Sequence, residues 1–361
     1  MAIQPFLKKT VRKESKIDEE LKKLLEEKKA NIKVVGSGGA GNNAITRMMQ
    51  TGIQGVYTIA VNTDAQDLLY SDADFKLLIG KELTGGLGAG GDPKVGMEAA
   101  KESKEDIRKM LEGTDLLFLT CGLGGGTGTG SLPVIAEIAQ KMNILTVGVV
   151  TLPFTMEGKV RMKNAKEGLD NLRKYVDTLI IIPNDKLLDI VPDVSLTTAF
   201  KIADEILVNS VKGIVELITK PGLINLDLAD VKAVMRNGGL AMVGMGESDS
   251  EDRAFEAVEK ALANPLLDLD IEGATGALIN VTGGKDLTTR EAQDVVESIS
   301  SRLNEDAKII WGAMLEPELG DTLRVMVVIT GAKAKEELEK VERMVKKRSV
   351  IEEELGIQFL E

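Results

Sequence analysis

Residues 116–130 read Leu-Leu-Phe-Leu-Thr-Cys-Gly-Leu-Gly-Gly-Gly-Thr-Gly-Thr-Gly. A buried strand (Leu116–Thr120) runs into a loop that is almost all glycine (Gly122–Gly130), and a helix is expected from Leu132 to Met142. Glycine at this density lets several backbone N–H groups converge on one anion, because no side chain blocks the approach. The N-terminus of the following helix adds positive dipole.

Outward from this loop, the pattern recurs. Ile32–Val35 reads as a strand, Gly36-Ser37-Gly38-Gly39-Ala40-Gly41 follows, and Ala44, Ile45, Met48 and Met49 fall at helical spacing. This satisfies G-x-G-x-x-G with Asp64 about twenty residues on, the pattern of a dinucleotide-binding strand–helix unit. One such loop serves one pyrophosphate, and one alone could equally be a tight turn. Two loops at successive strand ends suggest a triphosphate held from two sides. A third run, Gly85-Gly86-Leu87-Gly88-Ala89-Gly90-Gly91, could close over its terminal phosphate. Gly-Lys pairs at Gly80, Gly158 and Gly284 lack a following Ser or Thr, so the P-loop pattern is absent.

Further apolar strands are expected at Val56–Val61, Leu77–Ile79, Leu145–Val150 and Leu179–Ile182, with helices between most of them. Strands alternating with helices imply an α/β fold with a mostly parallel, Rossmann-like sheet covered on both faces. A long helix is expected over 195–219, with Leu196, Phe200, Ala203, Leu207, Val211, Ile214 and Ile218 in one stripe, stopped by Lys220-Pro221-Gly222. Strands at 240–246, 276–282, 307–314 and 323–330 alternate with helices at 251–264 and 288–304, which reads as a smaller α+β domain. The expected organisation is a charged arm (1–30), a nucleotide domain (31–194), a central helix (195–219), a C-terminal domain (220–331) and a charged tail (332–361) that opens as a helix.

With 361 residues, 43% of them hydrophobic, the chain can bury a large core. A net charge of −12 disfavours nucleic acid and anionic lipid as partners. No apolar run is long enough to span a bilayer and the polar N-terminus has no secretory h-region, so a cytoplasmic protein is expected. The single cysteine, Cys121, excludes an internal disulfide, and the absence of histidine excludes histidine bases and the common zinc sites. Catalysis must then rest on carboxylates, backbone amides, Lys or Arg, or a bound cation.

The segment GGGTGTG at 124–130 resembles the signature of the tubulin superfamily. GGAGNN at 38–43, AVNTD at 60–64, GLGAGGDP at 86–93, TLPF at 151–154, NDKL at 184–187 and NLDLADV at 225–231 resemble its FtsZ branch, in the family's order. The likeness covers roughly residues 31–331. It implies a GTPase that assembles into filaments and forms the division ring at mid-cell, with GTP or GDP and Mg²⁺ as cofactors. Implied partners are other copies of the chain, membrane-tethering proteins and other division proteins. In the family the phosphates lie on the loops matching Gly38, Gly39, Ala40, Gly41, Asn42 and Asn43, then Gly88, Ala89 and Gly90, then Gly125, Gly126, Thr127, Gly128, Thr129 and Gly130. Glu157 and Arg161 match ribose contacts, and Asn184, Phe200 and Asp204 match guanine contacts. Mg²⁺ would be held mainly through phosphates and water, with Asn62 and Asp64 nearby.

Phe200 and Asp204 are four apart and share a helix face. The ring can cover a base, and the carboxylate can accept from guanine N1–H and N2–H₂, whereas adenine has no N1–H to offer. On residues alone, Phe200 reads equally as core and Asp204 as its solvated neighbour. Asp227, Asp230 and Asn225 match the family's hydrolytic segment. Twenty-odd helical residues put that segment roughly 30 Å from the base, too far for the chain's own γ-phosphate. The resemblance implies that they reach the nucleotide of the next subunit. The family's long linker is missing, and Ile357–Glu361 resembles its terminal peptide only without the proline. Other readings are a tubulin-like cell-shape protein, an NAD(P)-dependent oxidoreductase using Gly36–Gly41, and a GTP-binding scaffold that does not hydrolyse.

Overall fold

The structure is a computed structural model that describes residues 30–190, 195–220, 222–224, 226–263, 269–271 and 274–334. Residues 1–29, the terminal peptide and Asn225 lie outside the described residues, as does the tail after Ala334; its start, expected as a helix after Gly331, is instead a short strand at Lys333–Ala334 that pairs with Leu269–Asp270.

The elements run β1 (Ile32–Ser37), α1 (Gly38–Gln50), β2 (Val56–Asn62), α2 (Ala65–Tyr70), β3 (Phe75–Leu78), α3 (Lys81–Thr84), α4 (Pro93–Glu102), α5 (Lys104–Leu111), β4 (Leu116–Gly122), α6 (Thr127–Lys141), β5 (Leu145–Leu152), α7 (Lys159–Leu172), β6 (Thr178–Pro183), α8 (Asn184–Ile190) and α9 (Leu196–Thr219). After α9 come α10 (Leu228–Met235), β7 (Gly239–Ser248), α11 (Arg253–Leu262), β8 (Leu269–Asp270), β9 (Gly276–Gly283), α12 (Thr289–Ser300), β10 (Lys308–Leu315), β11 (Leu323–Thr330) and β12 (Lys333–Ala334).

Ten strands form one sheet in the order β10-β9-β11-β7-β6-β5-β4-β1-β2-β3, with β8 and β12 as a separate pair. The first half is parallel throughout. In the second half β11 runs antiparallel to both β7 and β9. The two halves join through β6 and β7 by a register of three residues, Thr178–Ile180 against Gly239–Ala241.

The apolar alternation of β11 explains the layering. Met326 and Val328 pack with α9, while Val325, Val327 and Ile329 pack with α11 and α12 on the opposite face. In the first half, α1 shares the α9 face, whereas Ile107 of α5, Ile135 of α6 and Leu172 of α7 fill the other. The helix α9 therefore lies on one face of the sheet where its two halves meet, with α1 beside it over β1, β2 and β4. The chain leaves β1 toward β2 on one side and returns as β4 on the other. The carboxyl ends of β1 and β4 thus form a topological switch point, the place where open α/β sheets bind ligands.

Two expectations need correction. The helix after β4 opens at Thr127, not Leu132, because the glycines form its first turn rather than a preceding loop. A Cβ on Gly130 would lie 1.9 Å from Pro93 O, so glycine is what lets α4 pack against α6 there. The third glycine run follows the short helix α3 rather than a strand. The helix after α9 opens at Leu228 with Asp227 as its cap.

Candidate functional site

A cleft of about 430 Å³ opens at the switch point. Gly38, Gly39, Ala40 and Asn43 of α1 line it together with Gly125, Gly126, Thr127 and Gly128 at the start of α6. Neither helix carries an acidic residue in its first turn, so both positive ends are free to face an anion. The two ends nearly touch. Gly38 has φ +70°, and a Cβ there would lie 2.9 Å from Gly128 N. Gly125 faces open space, with nothing within 4 Å of a Cβ. The Ser37 and Ser131 hydroxyls, 2.6 Å apart, tie the two helix starts together.

The remaining residues expected at the phosphates stand just behind this wall. Gly41 packs α1 onto the strands, where a Cβ would meet Thr120 O at 2.8 Å. Thr129 Oγ1 accepts from Gly124 N at 2.9 Å. Asn42 is buried, and its amide, turned to donate to Gly36 O (3.1 Å) and Val61 O (3.3 Å), accepts from Asn62 Nδ2 (2.9 Å). Asn62 also donates to Asp67 Oδ2 at 2.6 Å. Asp64 caps α2 by accepting from Gln66 N and Asp67 N. The third loop is strung on the same segment, with Gly88 N donating to Thr63 O and Ala65 N to Gly86 O. It leans on the second loop, since a Cβ on Gly126 would meet Ala89 Cβ at 2.9 Å. Gly88, Ala89 and Gly90 do not themselves line the cleft.

The other end of the cleft suits a base. Phe200 and Asp204 project from α9, joined by Asn184 at the start of α8. Phe200 is 39% exposed and stands edge-on to the buried Phe154, with centroids 5.2 Å apart at 85°. Its exposed face is free to stack. Asn184 Oδ1 is buried without a partner among the described residues, so a donor on the ligand would complete it. Burial pushes the Asp204 carboxyl up to about 6, opposed by the guanidinium of Arg47 and reinforced by Glu205. A ligand offering two adjacent N–H groups, as guanine does, matches this acceptor. At the rim, Glu157 accepts from Phe154 N at 2.9 Å and pairs with Arg161.

Asp227 and Asp230 are elsewhere. Each carboxylate accepts from the other's backbone N–H, at 3.1 Å from Asp227 N and 2.8 Å from Asp230 N. This is a reciprocal capping box. Ahead of it, Leu223 N and Ile224 N both donate to Ala313 O, which fixes the segment to the edge strand β10. β10 stands six places from β4 in the sheet, roughly 29 Å at ~4.8 Å per strand.

Sequence reasoning missed Arg47, Phe154's role beneath Phe200, and Asp67. No local pattern marks them. Each acts through a partner distant in the chain or across a turn.

Two family models match the chain. "Tubulin/FtsZ family, GTPase domain" spans residues 31–192, and "FtsZ family, C-terminal domain" spans 239–333. The chain is 63% identical over 318 residues to cell division protein FtsZ 1 of Methanocaldococcus jannaschii, covering 88% of this chain and 87% of that one. A solved FtsZ dimer of M. jannaschii, described as empty, superimposes with a TM-score of 0.83 at 63% identity, covering 88% of this chain and 92% of that one. A GTPγS-bound protofilament of CetZ2 from Haloferax volcanii shares the fold at 22% identity, with a TM-score of 0.75 over 90% of this chain and 99% of that one. The cleft between two glycine-built helix ends and the matches along both halves of the sheet lead to one conclusion: the chain belongs to the FtsZ family of GTP-hydrolysing cell-division proteins.

Proposed function

We propose that GTP is hydrolysed between consecutive subunits of a head-to-tail filament, the nucleotide held by one and Asp227 and Asp230 supplied by the next. The observation that carries this is the separation of the two halves of the site. Phe200 and Thr219 lie 19 residues apart on α9, about 28 Å at 1.5 Å per residue. No side chain bridges that distance.

In this reading the amides of Gly38–Asn43 and Gly125–Gly130 hold the phosphates, with Gly88–Gly90 closing near the terminal one. Glu157 and Arg161 address the ribose, and Phe200, Asp204 and Asn184 the guanine. Mg²⁺ takes its ligands mainly from phosphates and water. Asn62 and Asp64 shape the adjoining loops, and Asn225 joins the two aspartates. Neutralising phosphate charge and aligning a water is most of what phosphoryl transfer needs. Asp227 and Asp230 would align that water.

Exposed apolar residues at the two ends support the geometry. Leu87, Met156 and Val160 stand by the cleft, and Leu223, Ile224 and Leu315 at the far end. Different patches on opposite ends give a heterologous contact that propagates rather than closes. The organisation into nucleotide domain (31–194), central helix (195–219) and C-terminal domain (220–331) follows this division of labour. We place the filament in the cytoplasm at the mid-cell division ring, with membrane-tethering and other division proteins as partners and no nucleic acid or membrane insertion. Among the described residues no helix is long and apolar enough to cross a membrane.

The test is phosphate release against protein concentration with GTP and Mg²⁺. A threshold concentration is expected, below which release nearly vanishes. A rate strictly linear in concentration would mean a self-contained site and overturn the assignment.

A further inference from the structure

The base end of the cleft carries a charged group that the guanine reading does not use. Arg47 lies on α1, nine residues after Gly38, about 13 Å along the helix. Its Nε is 3.5 Å from Asp204 Oδ2, and its Nη1 is 3.4 Å from Glu205 Oε1. The helix whose first turn faces the phosphates thus presents a cation to the base acceptor on α9. Asp204 lines the cleft and Arg47 stands beside it, outside the lining.

We propose that Arg47 is a positioning residue for guanine recognition, the counter-ion that keeps the Asp204 carboxylate available to the base. The inference rests on Asp204 being the guanine acceptor. Three facts carry it. First, Asp204 is about one-fifth exposed, which disfavours its charged form, and Arg47 is the one cation among the described residues that forms an ion pair with it. Second, its immediate neighbour on α9, Glu205, repels it and is itself held off by the same guanidinium. Third, the remaining charged groups in the cleft, Glu157 and Arg161 from the segment after β5, are paired with each other, while Asn184 from α8 is neutral.

The sign follows from the geometry. Guanine's N1–H and N2–H₂ need a carboxylate, not a carboxylic acid. Affinity should be full above the Asp204 midpoint of about 6 and be lost as pH falls through it. Without Arg47 the opposing influence is gone, and the midpoint rises.

The experiment measures binding of a fluorescent GTP analogue to nucleotide-free protein across about pH 5 to pH 8.5, together with the carboxyl titration of Asp204 followed by NMR. The proteins are wild type, Arg47→Met, Arg47→Lys, Glu205→Gln and Asp204→Asn. Methionine keeps the aliphatic packing of the arginine stem and removes only the charge. The nucleotide's own phosphate titrations are common to all and cancel in the differences. Arg47→Met is expected to bind weakly at neutral pH, to recover toward pH 8.5, and to raise both midpoints by about one pH unit or more. Arg47→Lys should restore most of the shift, and Glu205→Gln should move the midpoint the other way. A loss in Arg47→Met by the same factor at every pH would show a merely structural role and overturn the proposal, as would no loss at all. Asp204→Asn keeps the two readings apart. Weak binding without a midpoint supports the guanine assignment, and wild-type binding would overturn that assignment and the Arg47 role with it.

Discussion

The two ends of α9 are built in opposite ways. At one end Phe200 and Asp204 face a cleft with open valences: a ring with a free face, a carboxyl displaced to about 6 by burial, and a buried Asn184 oxygen with no partner. At the other, Asp227 and Asp230 satisfy each other's backbone. The first end has groups that a ligand would complete, whereas the second is satisfied as it stands. In the proposed reading a lone subunit can bind nucleotide but lacks the carboxylates that would finish the site. The capping box also fixes where those carboxylates point before any neighbour arrives, so assembly need not order them.

The comparison can be broken most forcefully at the capped end. Asp230→Ala should lower phosphate release by about 100-fold or more while leaving nucleotide affinity unchanged. Asp227→Ser separates the two roles of that residue. Serine is a good N-cap, so the melting temperature should hold within a few degrees, while hydrolysis falls. If Asp227→Ser hydrolyses normally, its carboxylate only caps the helix. At the binding end, Phe154→Ala removes the buried ring under Phe200 and should cost about 3–5 kcal/mol in denaturant unfolding, with weaker base binding on top. Loss of stability without loss of affinity would mean that Phe200 needs no support.

Two glycines five residues apart sharpen the distinction between packing and binding. Gly130→Ala forces a methyl against Pro93 O and should cost about 1–3 kcal/mol of stability. Gly125→Ala meets nothing among the described residues, so it should leave stability nearly unchanged and weaken nucleotide binding instead. Equal effects on both measurements at both sites would remove the distinction.

The smallest effect lies away from the cleft. Arg253 Nη1 is 2.7 Å from Asp286 Oδ2, and its Nε is 2.6 Å from Glu291 Oε1. Arg253 and the Thr288 cap hold the Glu291 carboxyl down at about 2 despite partial burial. A depressed folded value means that this stabilisation is present above the ordinary 4.5 and is lost as pH falls from there toward 2. Glu291→Gln should flatten that part of the acid-unfolding curve and leave the neutral-pH nucleotide affinity alone.

Much of the glycine-built wall of the cleft was legible because close approach dictates residue type. A helix start that meets another backbone, as at Gly38 and Gly128, tolerates only glycine, and the sequence displays it. Phe200 and Asp204 were legible as an i,i+4 pair, though not as a base site without the family likeness. Other features were hidden for physical reasons. The helix start at Thr127 was masked because glycine is a poor helix former, yet the first turn needs few internal hydrogen bonds. The single continuous sheet depends on three residue pairs between β6 and β7, and nothing local to either strand announces them. Arg47 and Asp204 are 157 positions apart, beyond any periodicity.

The most direct test loads Asp230→Ala with γ-labelled GTP and mixes it with wild-type protein under an excess of unlabelled GTP. Alone, the variant should keep its label. Co-assembled, it should release labelled phosphate, because its wild-type neighbour supplies the missing carboxylate. Retained label in filaments that contain both proteins would show that each subunit hydrolyses only with its own residues, and would contradict the shared site.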